Sequence, residues 1–71
     1  MSKTINSAMA GTVFRIEVKP GDTFDFGDVV VVLESMKMEI NIEADDAGTV
    51  ESLLLKEGDM VDEGTPILSY N

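Results

Sequence analysis

From Met36 to Glu43 the chain alternates. Met36, Met38, Ile40 and Ile42 are apolar, and Lys37, Glu39, Asn41 and Glu43 are polar. A period of two is the mark of a half-buried strand. Read alone, ESMKME has the composition of a helix, since Glu, Met and Lys are good helix formers; the longer alternation outweighs that. FRIEV (14–18) alternates in the same way. VVVVL (29–33) is a continuous β-branched run, the pattern of a strand covered on both faces. Turn signals punctuate these runs at KPGD (19–22), FGD (26–28), DDAG (45–48), KEGD (56–59) and EGTP (63–66). Each holds a glycine free to take positive φ. No helix of useful length is indicated. The pattern predicts an all-β chain of about six to eight short strands joined by tight turns. Lys37 falls at the bend between two of them.

The strands are organised as a repeat. Shifted by 37 residues, AGTVFRIEVKPGDTFDFGDVVVVLE (10–34) falls on AGTVESLLLKEGDMVDEGTPILSYN (47–71), with 9 of 25 positions identical. Among them are Gly11/Gly48, Gly21/Gly58 and Gly27/Gly64, so the same turns recur in the same order. Two copies of one β unit, neither able to bury its own apolar face, pack together about a pseudo-two-fold axis. The expected product is a flattened β-barrel or sandwich of two antiparallel sheets with a shared core. The copies run from 1 to 34 and from 38 to 71, so Lys37 lies in the linker. That linker is the symmetry mate of the gap between the termini. Lys37 is therefore expected at one end of the molecule and both termini at the other.

Length and charge narrow what such a domain does. With 71 residues the chain is one domain, 1–71. It has no cysteine and no histidine. Disulfides, thiolate metal sites, the commonest general base and the commonest zinc ligand are thereby excluded. The absence of cysteine fits a cytoplasmic location. The N-terminal MSKTINSAMAG has no apolar signal core, and no stretch reaches the roughly 20 apolar residues of a membrane span. The net charge of −9 repels nucleic acid and anionic bilayers. It favours a soluble monomer, and it also suits steering toward a basic partner. The acids of EADDA (43–47) match no calcium-loop spacing and read as solvated. Lys3, Lys19 and Lys56 read as surface charge, and the Gly-Asp pairs as turn formers without a phosphate-cradling pattern.

ESMKM, centred on Lys37, resembles the attachment motif of the biotinyl domain, the biotin carboxyl carrier module of biotin-dependent carboxylases. The likeness extends to SAMAGTV, the KPGD turn, the glycine before the motif strand, AGTV after it, and the closing KEGDMVDEGTPIL. It spans nearly the whole chain. One departure is the absence of a proline in the small-residue stretch before GTV, where this chain has Ala10; only the local turn is expected to change. The resemblance implies the biotinyl/lipoyl barrel-sandwich hybrid fold. It implies biotin as a covalent cofactor, joined by an amide to Lys37. In the family, biotin protein ligase makes biotinyl-adenylate from biotin and ATP, and the lysine amine attacks it. An exposed amine is ordinarily protonated at neutral pH, so the ligase is expected to supply deprotonation. The carrier then shuttles a carboxyl group between biotin carboxylase and carboxyltransferase sites, with the chemistry belonging to cofactor and partners. Tethering raises the local concentration of the cofactor at both sites. Such carriers serve acyl-CoA carboxylases, including those of fatty acid biosynthesis. The domain itself is then no enzyme.

Around Lys37, the resemblance gives Met36 and Met38 to recognition of the tip, soft side chains suited to several partners. The plainer reading is that both pack partly on the barrel end. Glu34 and Ser35 are read as recognition and turn residues. Three alternatives stand beside the biotin carrier. A lipoyl carrier shares the fold, but its motif usually has an acid immediately before the lysine, where this chain has Met36. An unmodified scaffold module of the same fold leaves Lys37 without a cofactor. A nucleophilic lysine needs a desolvated pocket, which a hairpin tip does not offer.

Overall fold

Eight strands form where the alternation and turns place them: β1 (Lys3–Asn6), β2 (Gly11–Ile16), β3 (Thr23–Phe24), β4 (Val29–Ser35), β5 (Met38–Glu43), β6 (Gly48–Leu53), β7 (Met60–Val61) and β8 (Pro66–Tyr70). The structure is a computed structural model and describes residues 2–71. The strands make two four-stranded antiparallel sheets, ordered β1-β8-β6-β3 and β5-β4-β2-β7. Adding or subtracting 37 residues turns one order into the other, strand for strand. The register obeys the same rule. Ile5 pairs with Leu68 in one sheet and Ile42 with Val31 in the other; Val50 pairs with Tyr70 and Val13 with Leu33.

The two copies are interlocked. The Gly21 N–H donates to the Val50 carbonyl (2.9 Å), and the Val50 N–H to the Asp22 carbonyl (2.8 Å). Their mates run from Gly58 to Val13 (2.9 Å) and from Val13 to Asp59 (2.8 Å). The turns of one copy thus close on a strand of the other, and neither unit completes its hydrogen bonding alone. Gly27 and Gly64 sit at φ of 90° and 89°, and Gly21 and Gly58 at 94°. These are left-handed conformations that glycine takes without steric cost.

The core lies between the sheets, built from Ile5, Val13, Val31, Leu33, Ile42, Val50, Ile67 and Leu68 with others. The central strand β4 is covered on both faces, as VVVVL predicts: Val30, Val31, Val32 and Leu33 are all buried. At one end of the core the rings of Phe24 and Tyr70 meet edge to face, centroids 5.2 Å apart and planes at 72°.

One strand differs from expectation. FRIEV does not run as a simple alternating strand from 14 to 18. β2 begins at Gly11 and ends at Ile16, and Phe14 points to solvent. The register between β2 and β4 slips between Val13 and Arg15. Such a bulge places an extra residue against the partner strand and breaks the alternation. Val13, not Phe14, therefore enters the core. The outward ring of Phe14 lies under the Arg15 guanidinium, 5.7 Å from its centroid. The same slip recurs between Val50 and Ser52 of β6, so the bulge belongs to the repeated unit.

Candidate functional site

β4 and β5 are joined by the two residues Met36 and Lys37, with Ser35 paired to Met38 across the hairpin. Both turn residues have positive φ, 53° and 65°. Two consecutive left-handed residues in a two-residue loop make a type I′ turn, whose twist matches that of the strands it joins. Asn-Gly is the usual occupant. Here two long side chains sit in a conformation that costs non-glycine residues on the order of 1 kcal/mol or more each. Apart from the glycines, they are the only positive-φ residues among those described.

The turn lifts Lys37 clear of the sheet. Its side chain is exposed, and among the described residues it forms no salt bridge. Met36 and Met38 also stand in solvent, 92% and 65% exposed. The expectation that both methionines pack on the barrel end is corrected: the turn geometry directs Met36 outward, and Met38 at the strand's first position lies beyond the reach of the core. Ser35 is half-buried. Glu34 is exposed and pairs with Thr12 on one side and Glu39 on the other. Two carboxylates thus face each other across the strands just below Met36–Lys37. Like charges so placed are unfavourable to the sheet.

In a molecule 34 Å long and 19 by 18 Å across, β5 runs from the Lys37 turn toward Asp46, which bonds Lys3 beside Tyr70, so Lys37 and the paired Lys3 and Tyr70 lie toward opposite ends. From there β1 runs away from Tyr70, and the connection after it leads to Gly11 beside the Lys37 turn. There a cavity of about 440 Å³ opens, lined by Ala10–Thr12, Glu34–Met36 and Met60–Asp62. Sequence reasoning did not bring Thr12, Met60, Val61 and Asp62 to the site. A signal for it exists in the repeat. At the terminal end the equivalent positions hold Phe24 and Tyr70, whose rings meet edge to face; here their counterparts are the smaller Val61 and Leu33. Met60 is almost wholly exposed at the cavity's edge.

The arrangement offers an accessible primary amine on a rigid hairpin, with soft apolar side chains on both sides and carboxylates below. The site presents an exposed lysine at the tip of a two-residue turn.

Comparison with known proteins agrees. The family model described as "Biotin-requiring enzyme" matches residues 3–69. The chain is 48% identical over 68 residues to the biotin/lipoyl attachment protein of Bacillus subtilis, covering 96% of this chain and 93% of that protein. It is 41% identical over 63 residues to the mitochondrial propionyl-CoA carboxylase alpha chain of Homo sapiens, covering 89% of this chain but 9% of that one. A solved single-chain, multi-domain long-chain acyl-CoA carboxylase contains the same fold, with a TM-score of 0.90 and 31% identity over 99% of this chain and 7% of its own. The chain thus spans nearly all of one relative and a small fraction of the carboxylases. With the repeat, the two mirrored sheets and the lysine between them, this places the chain in the biotin/lipoyl attachment family.

Proposed function

We propose that the domain is a biotin carboxyl carrier, with Lys37 the residue to which biotin protein ligase attaches biotin. The observation that carries this reading is the exposed Lys37 amine on the two-residue β4–β5 turn, outside both copies of the repeat. The ligase takes a proton from the Lys37 ammonium, the free amine attacks the acyl carbon of biotinyl-adenylate, AMP leaves, and the nitrogen loses its second proton to the ligase or solvent as the amide forms. When bound, biotin supplies the ring nitrogen that takes up and releases a carboxyl group. The chain's own part is positional. The type I′ turn aims the attachment point away from the body, and the interlocked sheets keep that point rigid. Met36 and Met38 present soft apolar contact to each partner in turn. Glu34 and Ser35 complete the surface read by the ligase. The partners are biotin carboxylase and carboxyltransferase components, and the domain catalyses neither half-reaction.

Met36 favours biotin over lipoate, because lipoyl motifs usually have an acid at that position. The Bacillus subtilis relative is named for both groups, so the two are tested side by side. Incubation with biotin, ATP and biotin protein ligase is expected to add one biotin by intact mass, and none to Lys37→Arg. Persistent labelling of Lys37→Arg refutes the site. Lipoylation by a lipoate ligase without biotinylation refutes the choice of cofactor.

A further inference from the structure

The turns at 25–28 and 62–65 are copies of each other. The Gly27 N–H donates to the Ala44 carbonyl and the Gly64 N–H to the Ser7 carbonyl, both at 2.8 Å; the closing bonds from Asp28 to Asp25 and from Thr65 to Asp62 are both 3.0 Å. The Asp25 N–H is capped by the Asp28 carboxylate, and the Asp62 N–H by the Thr65 hydroxyl. Before the glycine, the second turn carries an exposed Glu63. The first carries Phe26, which is 78% exposed. A charged residue therefore meets every backbone requirement of this turn, and the aromatic ring serves none of them.

Exposed acids flank this turn: Asp25 and Asp28 within it, and Glu43 and Asp45 on either side of Ala44, whose carbonyl accepts the Gly27 N–H. Lys3, paired with Asp46 just past Ala44 at 3.3 Å, is engaged by that acid. An exposed aromatic side chain in an acidic turn fits an apolar socket with a basic rim. A second copy of this chain offers none, because Arg15 is held by Glu17 and the remaining lysines are scattered over three turns. Nucleic acid and anionic bilayers are repelled. The occupant is a protein surface bearing Lys or Arg.

Phe26 is also far from Lys37. β5 starts at the Lys37 turn and runs away from it, and Ala44, just past its end, receives the Gly27 hydrogen bond. A grip on Phe26 leaves the lysine end free to enter an active site.

We propose that Phe26 and its acidic surround form a rear docking site, by which a carboxylase assembly with a basic-rimmed apolar socket holds this domain while the Lys37 end is in use. The proposal rests on the carrier function above. Its test is the Phe26→Glu variant, which places in the first turn the residue its copy already carries. Ligase-catalysed biotin incorporation is expected at the wild-type rate, with Tm preserved. In steady-state carboxylation by the assembly that accepts the wild-type biotinylated domain, KM for the domain is expected to rise at least tenfold with kcat unchanged. Phe26→Trp is expected to keep a KM near wild type, and KM for the wild type to increase with salt. A wild-type KM for Phe26→Glu overturns the docking site. Failure of the wild-type chain to accept biotin refutes the carrier function instead.

Discussion

Gly48 lies directly against Tyr70. A β-carbon at Gly48 would be in steric overlap with Cδ2 of the Tyr70 ring and 2.6 Å from the Asn71 carbonyl oxygen. Tyr70 also meets Phe24 edge to face at this end of the core, centroids 5.2 Å apart. At the symmetry-related place, a β-carbon on Gly11 meets the Glu34 carbonyl at 3.1 Å and Leu33 Cβ at 3.4 Å. The two glycines are equivalent in sequence but not in the room around them.

The Gly48→Ala substitution is therefore expected to destabilise the fold by about 2 kcal/mol, the usual cost of overpacking a closed site. Gly11→Ala is expected to cost clearly less, because the contacts there need only a small shift. Urea denaturation of both variants checks the order. Equal midpoints would show that the Tyr70 ring yields freely.

The Met36–Lys37 turn stores backbone strain beside the exposed Lys37 side chain. Met36→Asn places a residue tolerant of positive φ in the first turn position. It is expected to raise stability by roughly 1 kcal/mol and, under the carrier function proposed above, to slow biotinylation by removing an apolar side chain beside Lys37. Thermal unfolding and the rate of mass gain measure the two effects. A variant no more stable than wild type would mean that the turn imposes no strain.

Asp46 accepts two nearby donors, the Ala47 N–H and the Lys3 ammonium. The Ala47 N–H, and then Lys3, hold its carboxyl below the usual aspartate value of 3.8. A depressed folded-state pKa stabilises the fold above the unfolded pKa, and that stability disappears as pH falls through the folded value. Wild type is thus expected to exceed Asp46→Asn in Tm at neutral pH. The gap should close on acidification below pH 3.8. Tm measured from pH 7 down to pH 2 follows it, and a gap that persists in strong acid would assign the effect to hydrogen bonding alone.

Much of the fold was legible because its elements are local. Period two in Met38–Glu43 and the apolar run of β4 mark strands without reference to the rest of the chain. The glycines at 21, 27, 58 and 64 mark turns because few other residues take their φ. The repeat added the long-range part. Two units that cannot bury their own faces must bury each other's, and the sheet orders and the neighbouring termini follow. The exposed lysine between the copies was legible for the same reason. The bulge was not, because an extra residue at Phe14 appears only when strands are paired and registered. The I′ turn was not, because Met-Lys lacks the Asn-Gly that usually announces it.

The chain's own order of residues thus determined the all-β class, the doubled unit and the position of Lys37 between its halves, since periodicity and glycine placement act within a few residues and a repeat is visible by alignment. Which side chains share the lysine's end was decided by packing alone. Val61 and Leu33 stand where the other end has the larger Phe24 and Tyr70, and Met60 arrives beside Met36 at the cavity from 24 residues further along the chain. Such neighbours are set by how two sheets close on one core, a property of volumes and registers that no single stretch of sequence contains.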